Sequence, residues 1–251
     1  MEAKKIVITG GATRIGSAIA KSLAGYDIDI TIHFNKSKSL AQKLKMDLED
    51  MGSKVHLIKA DLSNINQVKK IIPIANKKMR GLDCLINNAS VFEKDDLNNF
   101  TDKSFLKHIN VNLKAPALLM KDFKKFVKGK DANIVNIIDQ RIKKLTPYFF
   151  SYTLSKVALG TMTETAAMKL APNIRVNGIS PGPTMKNKRQ SDKHFKAQWK
   201  STILRRQVDL NNICNLTRYY IESDTVTGQI MNVDSGQSLA WKTPDIIGSK
   251  E

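Results

Sequence analysis

The most informative pair of reactive side chains is Tyr152 and Lys156, which stand four residues apart in a segment with a helical pattern. On a helix this spacing puts both side chains on one face, with about 5 to 6 Å between their Cβ atoms. A free tyrosine, with a pKa of about 10, is a poor acid or base at neutral pH, whereas an adjacent ammonium favours the phenolate and lowers that pKa. The pair could therefore serve in general acid and base catalysis, although this spacing alone often occurs by chance.

A glycine-rich sequence, Thr9-Gly10-Gly11-Ala12-Thr13-Arg14-Ile15-Gly16, joins the first strand-like run to the first helical pattern. Glycines at this place let backbone N–H groups approach a pyrophosphate, which then lies at the positive end of the helix dipole. A tight turn without a ligand is the alternative explanation. We interpret the sequence as a dinucleotide site.

The segment His33-Phe34-Asn35-Lys36-Ser37, at the end of the second strand-like run, bears on the choice of nicotinamide cofactor. A protein that binds NAD places a carboxylate here, which hydrogen-bonds the ribose 2′-OH. This segment has no carboxylate, and the cation of Lys36 with the donors of Asn35 and Ser37 suits a 2′-phosphate. The sequence predicts NADPH rather than NADH, unless Lys36 is only a surface lysine.

The composition limits the class of protein. Of the 251 residues, 41% are hydrophobic and 25% charged, which is typical of a soluble protein with one core. The 41 Lys and Arg exceed the 23 Asp and Glu, and the resulting charge of +18 attracts anions of any kind. The two cysteines form no metal or disulfide pattern, and neither a signal peptide nor an apolar run of about 18 residues is found. We expect no metal, no membrane partner and a cytoplasmic location.

Two kinds of hydrophobic pattern alternate along the chain. Short runs rich in Ile and Val, typical of strands buried on both faces, alternate with helical stripes. This alternation predicts right-handed βαβ crossovers and a doubly wound α/β fold, with a parallel sheet of about seven strands flanked by helices in a single domain. The predicted strands are residues 4–9, 27–34, 54–60, 83–87, 132–138, 174–180 and 229–233, and the main predicted stripes are Leu40, Leu44, Leu48 and Met51 before Gly52, and Leu154, Ala158, Met162, Ala166 and Leu170 before Pro172.

Further motifs accompany Tyr152 and Lys156 in a fixed order along the chain. Together with the glycine-rich sequence, they resemble the short-chain dehydrogenase/reductase family over about residues 4–240. The resemblance implies one Rossmann-type domain over residues 1–251 that transfers hydride from a nicotinamide, with a cofactor-binding half (4–90) and a catalytic and substrate half (91–240). The motifs are Asn87-Asn88-Ala89, Asn112, Arg175-Val176-Asn177-Gly178, Pro181-Gly182, Thr227-Gly228-Gln229 and Val233-Asp234-Ser235-Gly236.

The same resemblance implies roles for individual residues. Tyr152 would donate a proton, Lys156 would hold the nicotinamide ribose, and Asn112 would anchor a water of a proton relay. Asp61 and Leu62 would contact the adenine, although Asp61 could instead cap the following turn. The residues expected at the NADPH site are Gly10, Thr13, Arg14, Ile15, Gly16, Asn35, Lys36, Ser37, Asp61, Leu62, Asn88, Ala89, Ser90, Tyr152, Lys156, Pro181 and Gly182.

Two positions depart from the common family pattern. Asp139 stands where most members have a serine; its carboxyl would repel a developing alkoxide, but it could share a proton with Tyr152 during reduction of a C=N bond. Arg14 replaces the middle glycine and could reach the pyrophosphate and the substrate. Both departures resemble the pteridine reductase and dihydromonapterin reductase branch, in which Ser90 would contact substrate and Phe92 would stack on the pterin ring. The expected substrate contacts are Arg14, Ser90, Phe92, Asp139 and Tyr152, with core packing for Phe92 and a capping role for Asp139 as alternatives.

These features predict an NADPH-dependent reductase of a pterin-type substrate, such as a dihydropteridine, dihydromonapterin or dihydrofolate. The alternative is a carbonyl reductase such as a 3-oxoacyl-carrier-protein reductase, whose acidic carrier the positive surface would attract; Asp139 counts against it. A nucleic-acid-binding protein is a third hypothesis, which the missing recognition motif and the intact catalytic set disfavour. Residues 184–204, which overlap a basic segment (186–206), are expected to cover the substrate. The family implies a homodimer or homotetramer.

Overall fold

The computed structural model describes residues 4–127, 131–187 and 189–241, which form one parallel sheet with helices on both faces. The strands are β1 (Lys5–Ile8), β2 (Asp29–Phe34), β3 (Lys54–Lys59), β4 (Cys84–Asn87), β5 (Ala132–Ile137), β6 (Ile174–Pro181) and β7 (Ile230–Val233). Their order in the sheet is β3-β2-β1-β4-β5-β6-β7, and each neighbouring pair is parallel. The predicted α/β class and strand number are confirmed, and each strand end lies within two residues of its predicted place.

The helices form two layers because each central strand buries side chains on both of its faces. In β1, Ile6 and Ile8 belong to one hydrophobic core and Val7 to the other, and all three are fully buried. The helices are α1 (Arg14–Leu23), α2 (Lys38–Asp50), α3 (Ile65–Met79), α4 (Asp102–Ile109), α5 (Ala115–Phe126), α6 (Phe150–Leu170), α7 (Asp192–Lys200) and α8 (Leu210–Glu222). The first core lies under α1, α2 and α8, and the second core lies under α3, α5 and α6.

The buried stripe of α2 differs from the predicted one. Ala41, Leu44 and Leu48 are buried, whereas Leu40 and Met51 are 51% and 43% exposed. Leu44 can share a helix face with residue 40 or with residue 41, and the helix turns the smaller alanine toward the sheet. The predicted helix end is confirmed, since Gly52 follows the last turn with φ +92°.

Helix α6 buries polar side chains beside part of the predicted apolar stripe. Tyr152, Lys156 and Thr163 are buried, whereas Leu154, the first residue of that stripe, is 42% exposed. The polar face can be buried because it finds partners inside the protein: Thr163 Oγ1, for example, accepts a hydrogen bond from Asn136 Nδ2 over 2.9 Å. The later residues of the predicted stripe are partly buried and pack against the second core: Met162, Ala166 and Leu170.

Residues 1–3 and 242–251, which the predicted domain includes, lie outside the described residues, as does Lys188 of the basic segment. Within the described ranges, no helix is both long and apolar enough to span a membrane. The same ranges contain no group of three His, Cys, Asp or Glu side chains suited to hold a metal ion.

Candidate active site

The carboxyl ends of β1 and β4 border a cavity of about 550 Å³. The chain leaves β1 toward β2 and leaves β4 toward β5, on opposite sides, so the loops diverge and open a crevice between them. Gly16, Ser37 and Asn112 do not line this cavity. The other predicted site residues do: Gly10, Thr13, Arg14, Ile15, Asn35, Lys36, Asp61, Leu62, Asn88, Ala89, Ser90, Phe92, Asp139, Tyr152, Lys156, Pro181 and Gly182.

The glycine-rich turn packs so closely on the loop after β4 that neither Gly10 nor Gly16 has room for a side chain. Gly10 has φ +59°, and a Cβ on Gly16 would lie 2.4 Å from the Gly10 carbonyl oxygen and 2.5 Å from Asn88 Nδ2. Asn88 Nδ2 itself donates to the carbonyl oxygens of Thr9 and Gly10, over 2.9 and 3.0 Å. Bare backbone at the start of α1 fits the pyrophosphate of a dinucleotide.

His33 also holds this turn, and no sequence motif pointed to it. Its Nδ1 accepts a hydrogen bond from the Gly10 N–H over 3.1 Å, so Nε2 carries the hydrogen and donates to the Ala60 carbonyl oxygen over 3.0 Å. Burial lowers the pKa of His33 from 6.5 to about 4. The ring is therefore neutral at physiological pH, and it keeps the acceptor that the turn requires.

The far end of the cavity holds the residues predicted to select NADPH. Asn35 and Lys36 are exposed at its edge. Asp61 lines the same end, and its Oδ1 accepts hydrogen bonds from the Ser63 N–H and Oγ over 2.9 and 2.8 Å. The backbone bond from Ser63 is the main reason that the pKa of Asp61 is lowered. Asp61 therefore caps the following turn, which was the alternative to an adenine contact.

Tyr152, Lys156 and Asp139 meet on one wall of the cavity. Tyr152 Oη donates to Asp139 Oδ2 over 2.7 Å, and Lys156 Nζ donates to the Ile137 carbonyl oxygen over 2.9 Å. Asp139 lies two residues after the end of β5, and its Oδ1 accepts from the Arg141 N–H over 2.9 Å. The end of β5 and the first turns of α6 thus bring together the phenol, carboxyl and ammonium groups.

The ionisation of these groups is set first by their burial. Burial and then Asp139 raise the pKa of Tyr152 well above its usual value, opposite to the lowering expected from Lys156. Burial also raises the pKa of Asp139, and it lowers the pKa of Lys156 to about 8. The Lys156 ammonium binds a carbonyl oxygen and lies 5.8 Å from the tyrosine ring centre. Tyr152 is consequently a phenol that keeps its proton at neutral pH.

Asn112 joins two segments beside the cavity. It lies fully buried in a π-helical turn, Asn110–Lys114. Its Nδ2 donates to the Val91 carbonyl oxygen and Ser155 Oγ, over 2.9 and 3.0 Å, and its Oδ1 accepts from the Val91 N–H and Ser90 Oγ, over 2.8 and 3.2 Å. The side chain thereby joins the loop after β4 to α6, and its expected part in a proton relay stays a prediction.

Phe92 lies beside Tyr152, and one of its faces is covered. Its ring stacks on that of Phe149, with centres 4.5 Å apart and planes at 10°, and meets the Tyr152 ring edge-on at 4.6 Å. Phe149 is therefore a direct partner of Phe92. A flat substrate ring can stack only on the face of Phe92 that is turned away from Phe149.

Arg14 connects the glycine-rich turn to the segment expected to cover the substrate. Its guanidinium donates to the carbonyl oxygens of Lys186 and Met185, over 2.8 and 3.1 Å. The segment borders the cavity with Met185, Gln190 and Phe195 among others. Arg14 thus holds this segment in place while it lines the cavity.

Asp95 is a residue that sequence reasoning missed. Its Oδ1 accepts from the Ser151 N–H over 3.1 Å, and its carbonyl oxygen accepts from the Phe149 N–H over 2.7 Å. Phe149, the residue before α6, has no side chain that can cap the helix, and Asp95 satisfies these backbone groups instead. The buried carboxylate thereby fixes the first turn of α6, which carries Tyr152. A cap 56 residues away in sequence leaves no local signal.

The family model described as short chain dehydrogenase matches residues 4–198. The chain belongs to the short-chain dehydrogenase family. Among solved structures, it is similar to FolM alternative dihydrofolate reductase 1 from Brucella canis, complexed with NADP: the two are 40% identical, with a TM-score of 0.92 and 96% of each chain covered. A short-chain dehydrogenase from Burkholderia cenocepacia, also in complex with NADP, is 27% identical, with a TM-score of 0.88 and coverage of 93% of this chain and 97% of that one.

Among characterised sequences, dihydromonapterin reductase from Enterobacter sp. is 23% identical over 239 residues, which cover 94% of this chain and 97% of that protein. Together with the Brucella structure, it supports the predicted pteridine reductase-like branch of the short-chain dehydrogenases. The NADP in the related structures agrees with the cofactor predicted from Lys36 and its neighbours. This short-chain dehydrogenase is an oxidoreductase with an NADP-type nucleotide site.

Proposed function

We propose that this protein is an NADPH-dependent reductase of pterin-type substrates, such as a dihydropteridine, dihydromonapterin or dihydrofolate. The observation that carries the proposal is the 2.7 Å hydrogen bond between Tyr152 and Asp139 on the cavity wall. A carboxylate beside the donor would oppose the alkoxide formed from a ketone, whereas a ring nitrogen of a C=N bond needs only a proton. The names of the Enterobacter and Brucella relatives support the same substrate class.

NADPH, when bound, supplies a hydride to the substrate carbon. The chain's own task is to hold the cofactor: backbone N–H groups of the glycine-rich turn receive its pyrophosphate, and Lys36 binds its 2′-phosphate. In this proposal Lys156 holds the ribose hydroxyls. The remaining proposed contacts are Thr13, Ile15, Asn35, Ser37, Leu62, Asn88, Ala89, Ser90, Pro181 and Gly182.

Tyr152 holds the proton that the reduction consumes. Because burial and Asp139 raise its pKa, the phenol is protonated at neutral pH and can donate to the substrate nitrogen as hydride reaches the carbon. The phenolate left behind is stabilised by the Lys156 ammonium, 5.8 Å from the ring centre. Asp139 then returns a proton from solvent to Tyr152 through the existing hydrogen bond. The free face of Phe92 supports the flat ring during both transfers.

The proposal includes assembly into a homodimer or homotetramer. Helix α6 leaves Leu154, Val157 and Met168 exposed at 42%, 37% and 79%. Their spacing puts these side chains on one face of the helix, which a second copy can cover. Sedimentation at moderate ionic strength measures the assembly state, and a monomer would contradict this part of the proposal.

The function is tested by NADPH oxidation with dihydrobiopterin, dihydromonapterin or dihydrofolate, beside an acetoacetyl thioester as the carbonyl substrate. We expect turnover of at least one dihydropterin and none of the thioester. Tyr152→Phe should lower kcat by about 10² to 10⁴-fold because it removes the proton donor. Asp139→Ser, which restores the common family residue, should lower pterin turnover as well. Tyr148→Phe, at an exposed tyrosine outside the cavity, is the matched control and should keep full activity.

Two results would overturn this proposal. Turnover of the thioester alone would place the protein among the carbonyl reductases. Undiminished pterin turnover in Tyr152→Phe would show that another group donates the proton.

A further inference from the structure

Two arginines converge on the stacked rings of Phe92 and Phe149. The guanidinium carbon of Arg189 lies 5.3 Å from the Phe92 ring centre and 6.0 Å from that of Phe149. The guanidinium carbon of Arg141 lies 5.8 Å and 4.6 Å from the same two centres. The two like charges at one aromatic pair make its surroundings positive, which favours an anionic ligand there.

Neither arginine has a carboxylate partner among the residues that the structure describes. Glu93, the acid next to Phe92 in sequence, forms its ion pair with Lys107 instead. Arg141 donates from Nη1 to Thr146 Oγ1 over 3.2 Å, and Arg189 donates from Nη2 to the Phe92 carbonyl oxygen over 2.9 Å. These neutral acceptors engage one nitrogen of each guanidinium and leave further N–H groups for a ligand, although the Asp139 carboxyl interacts with the charge of Arg141 at longer range.

Arg141 lies at the substrate end of the cavity, and Arg189, which is not part of the cavity lining, contacts the same aromatic pair. Arg141 lines the cavity, and its own backbone N–H binds Asp139. Arg189 belongs to the segment that Arg14 holds over the site. Phe92, which both guanidiniums approach, meets the Tyr152 ring at 4.6 Å. A ring that reacts beside Tyr152 therefore has both guanidiniums within reach of its side chain.

We propose that the preferred substrate is a pterin with an anionic side chain, whose carboxylate or phosphate groups are bound by Arg141 and Arg189. The inference rests on the proposed pterin reductase function. It further specifies that the side chain of the substrate, which does not react, is negatively charged. Guanidinium groups match carboxylate and phosphate oxygens through paired hydrogen bonds. The net charge of +18 adds long-range attraction for such an anion.

The test compares three dihydropterins in the NADPH oxidation assay. Dihydrobiopterin has an uncharged side chain, dihydrofolate carries carboxylates, and dihydroneopterin triphosphate carries phosphates. We expect kcat/KM for one anionic substrate to exceed that for dihydrobiopterin by at least about tenfold. A preference for dihydrofolate would show that the arginines recognise carboxylate groups. A preference for dihydroneopterin triphosphate would show that they recognise phosphate groups.

The variants Arg141→Gln and Arg189→Gln remove one charge each. We expect each to raise KM for the anionic substrate about tenfold or more, with kcat nearly unchanged and dihydrobiopterin affected less than about threefold. Arg189→Lys keeps the charge and should recover part of the loss. Arg206→Gln, at an exposed arginine outside the cavity, is the matched control and should behave as wild type. Added salt should lower kcat/KM for the anionic substrate only.

The outcomes separate this inference from the proposed function. If dihydrobiopterin were used as well as both anionic substrates, and the Gln variants affected all three alike, the anionic-substrate proposal would be refuted while the pterin reductase function stood. If no dihydropterin were reduced and the thioester were, both proposals would fail.

Discussion

Replacing Lys156 by methionine should change how the stability of this protein depends on pH. Lys156 is 2% exposed, and burial lowers its pKa from 10.5 to about 8. At pH 7 the folded and unfolded states both carry the ammonium, and the folded state is destabilised by burying it. Between pH 8 and 10.5 the folded state loses this proton first, so the unfolded state binds more protons and the free energy of unfolding rises with pH.

The expected rise follows from the difference of 2.5 between the two pKa values. At about 1.36 kcal/mol for each pKa unit, the full gain is about 3 kcal/mol, of which about 2 to 3 kcal/mol falls between pH 7 and pH 10. Methionine has a similar length and does not titrate, so the variant lacks this gain. The lost hydrogen bond to the Ile137 carbonyl oxygen adds only a constant offset.

The measurement is urea unfolding followed by circular dichroism at pH 7, 8, 9 and 10, with protein concentration and ionic strength fixed. The free energy of unfolding of wild type relative to Lys156→Met should increase by about 2 to 3 kcal/mol over this range. Lys169→Met, at an exposed position near the end of the same helix, is the matched control and should give a flat difference. A difference between wild type and Lys156→Met that stays constant within about 0.5 kcal/mol would refute the reasoning.

Three further predictions concern residues that position the site. Gly16→Ala places a Cβ 2.4 Å from the Gly10 carbonyl oxygen, so it should destabilise the fold by about 1 to 3 kcal/mol and weaken NADPH binding at least about tenfold in a fluorescence titration; wild-type affinity would contradict the tight packing. Asp95→Ala removes the acceptor for the Ser151 N–H and should lower the free energy of unfolding by about 0.5 to 2 kcal/mol and reduce kcat more than it changes KM. Asp95→Asn keeps an amide oxygen and should recover most of both losses, and equal damage in the two variants would exclude the capping role. Lys36→Glu should shift the ratio of kcat/KM for NADPH over NADH at least about tenfold toward NADH, whereas an unchanged ratio would show that Lys36 does not contact the 2′-phosphate.

The sequence by itself determined the class of fold and the place of the site. Runs of Ile and Val such as Ile6-Val7-Ile8 predict strands buried on both faces, because only a sheet covered on both sides excludes water from consecutive side chains. The alternation with helical patterns then leads to a parallel sheet, and parallel strands gather their carboxyl ends at one edge. The glycine-rich turn and the Tyr152 and Lys156 pair could therefore be assigned to the same cavity before any contact was known.

Only the tertiary structure decided what each of these groups does there. Spacing put Lys156 beside Tyr152 and predicted a lowered tyrosine pKa, but desolvation and Asp139, which comes from another strand end, act in the opposite direction. Likewise Asn112 is engaged by the loop after β4, and the first turn of α6 is capped by Asp95, 56 residues away from the amide that its carboxylate binds. Local spacing sets which side chains share a helix face. Burial and hydrogen-bond partners depend on segments that meet only when the chain folds, and these set the pKa and the role of each group.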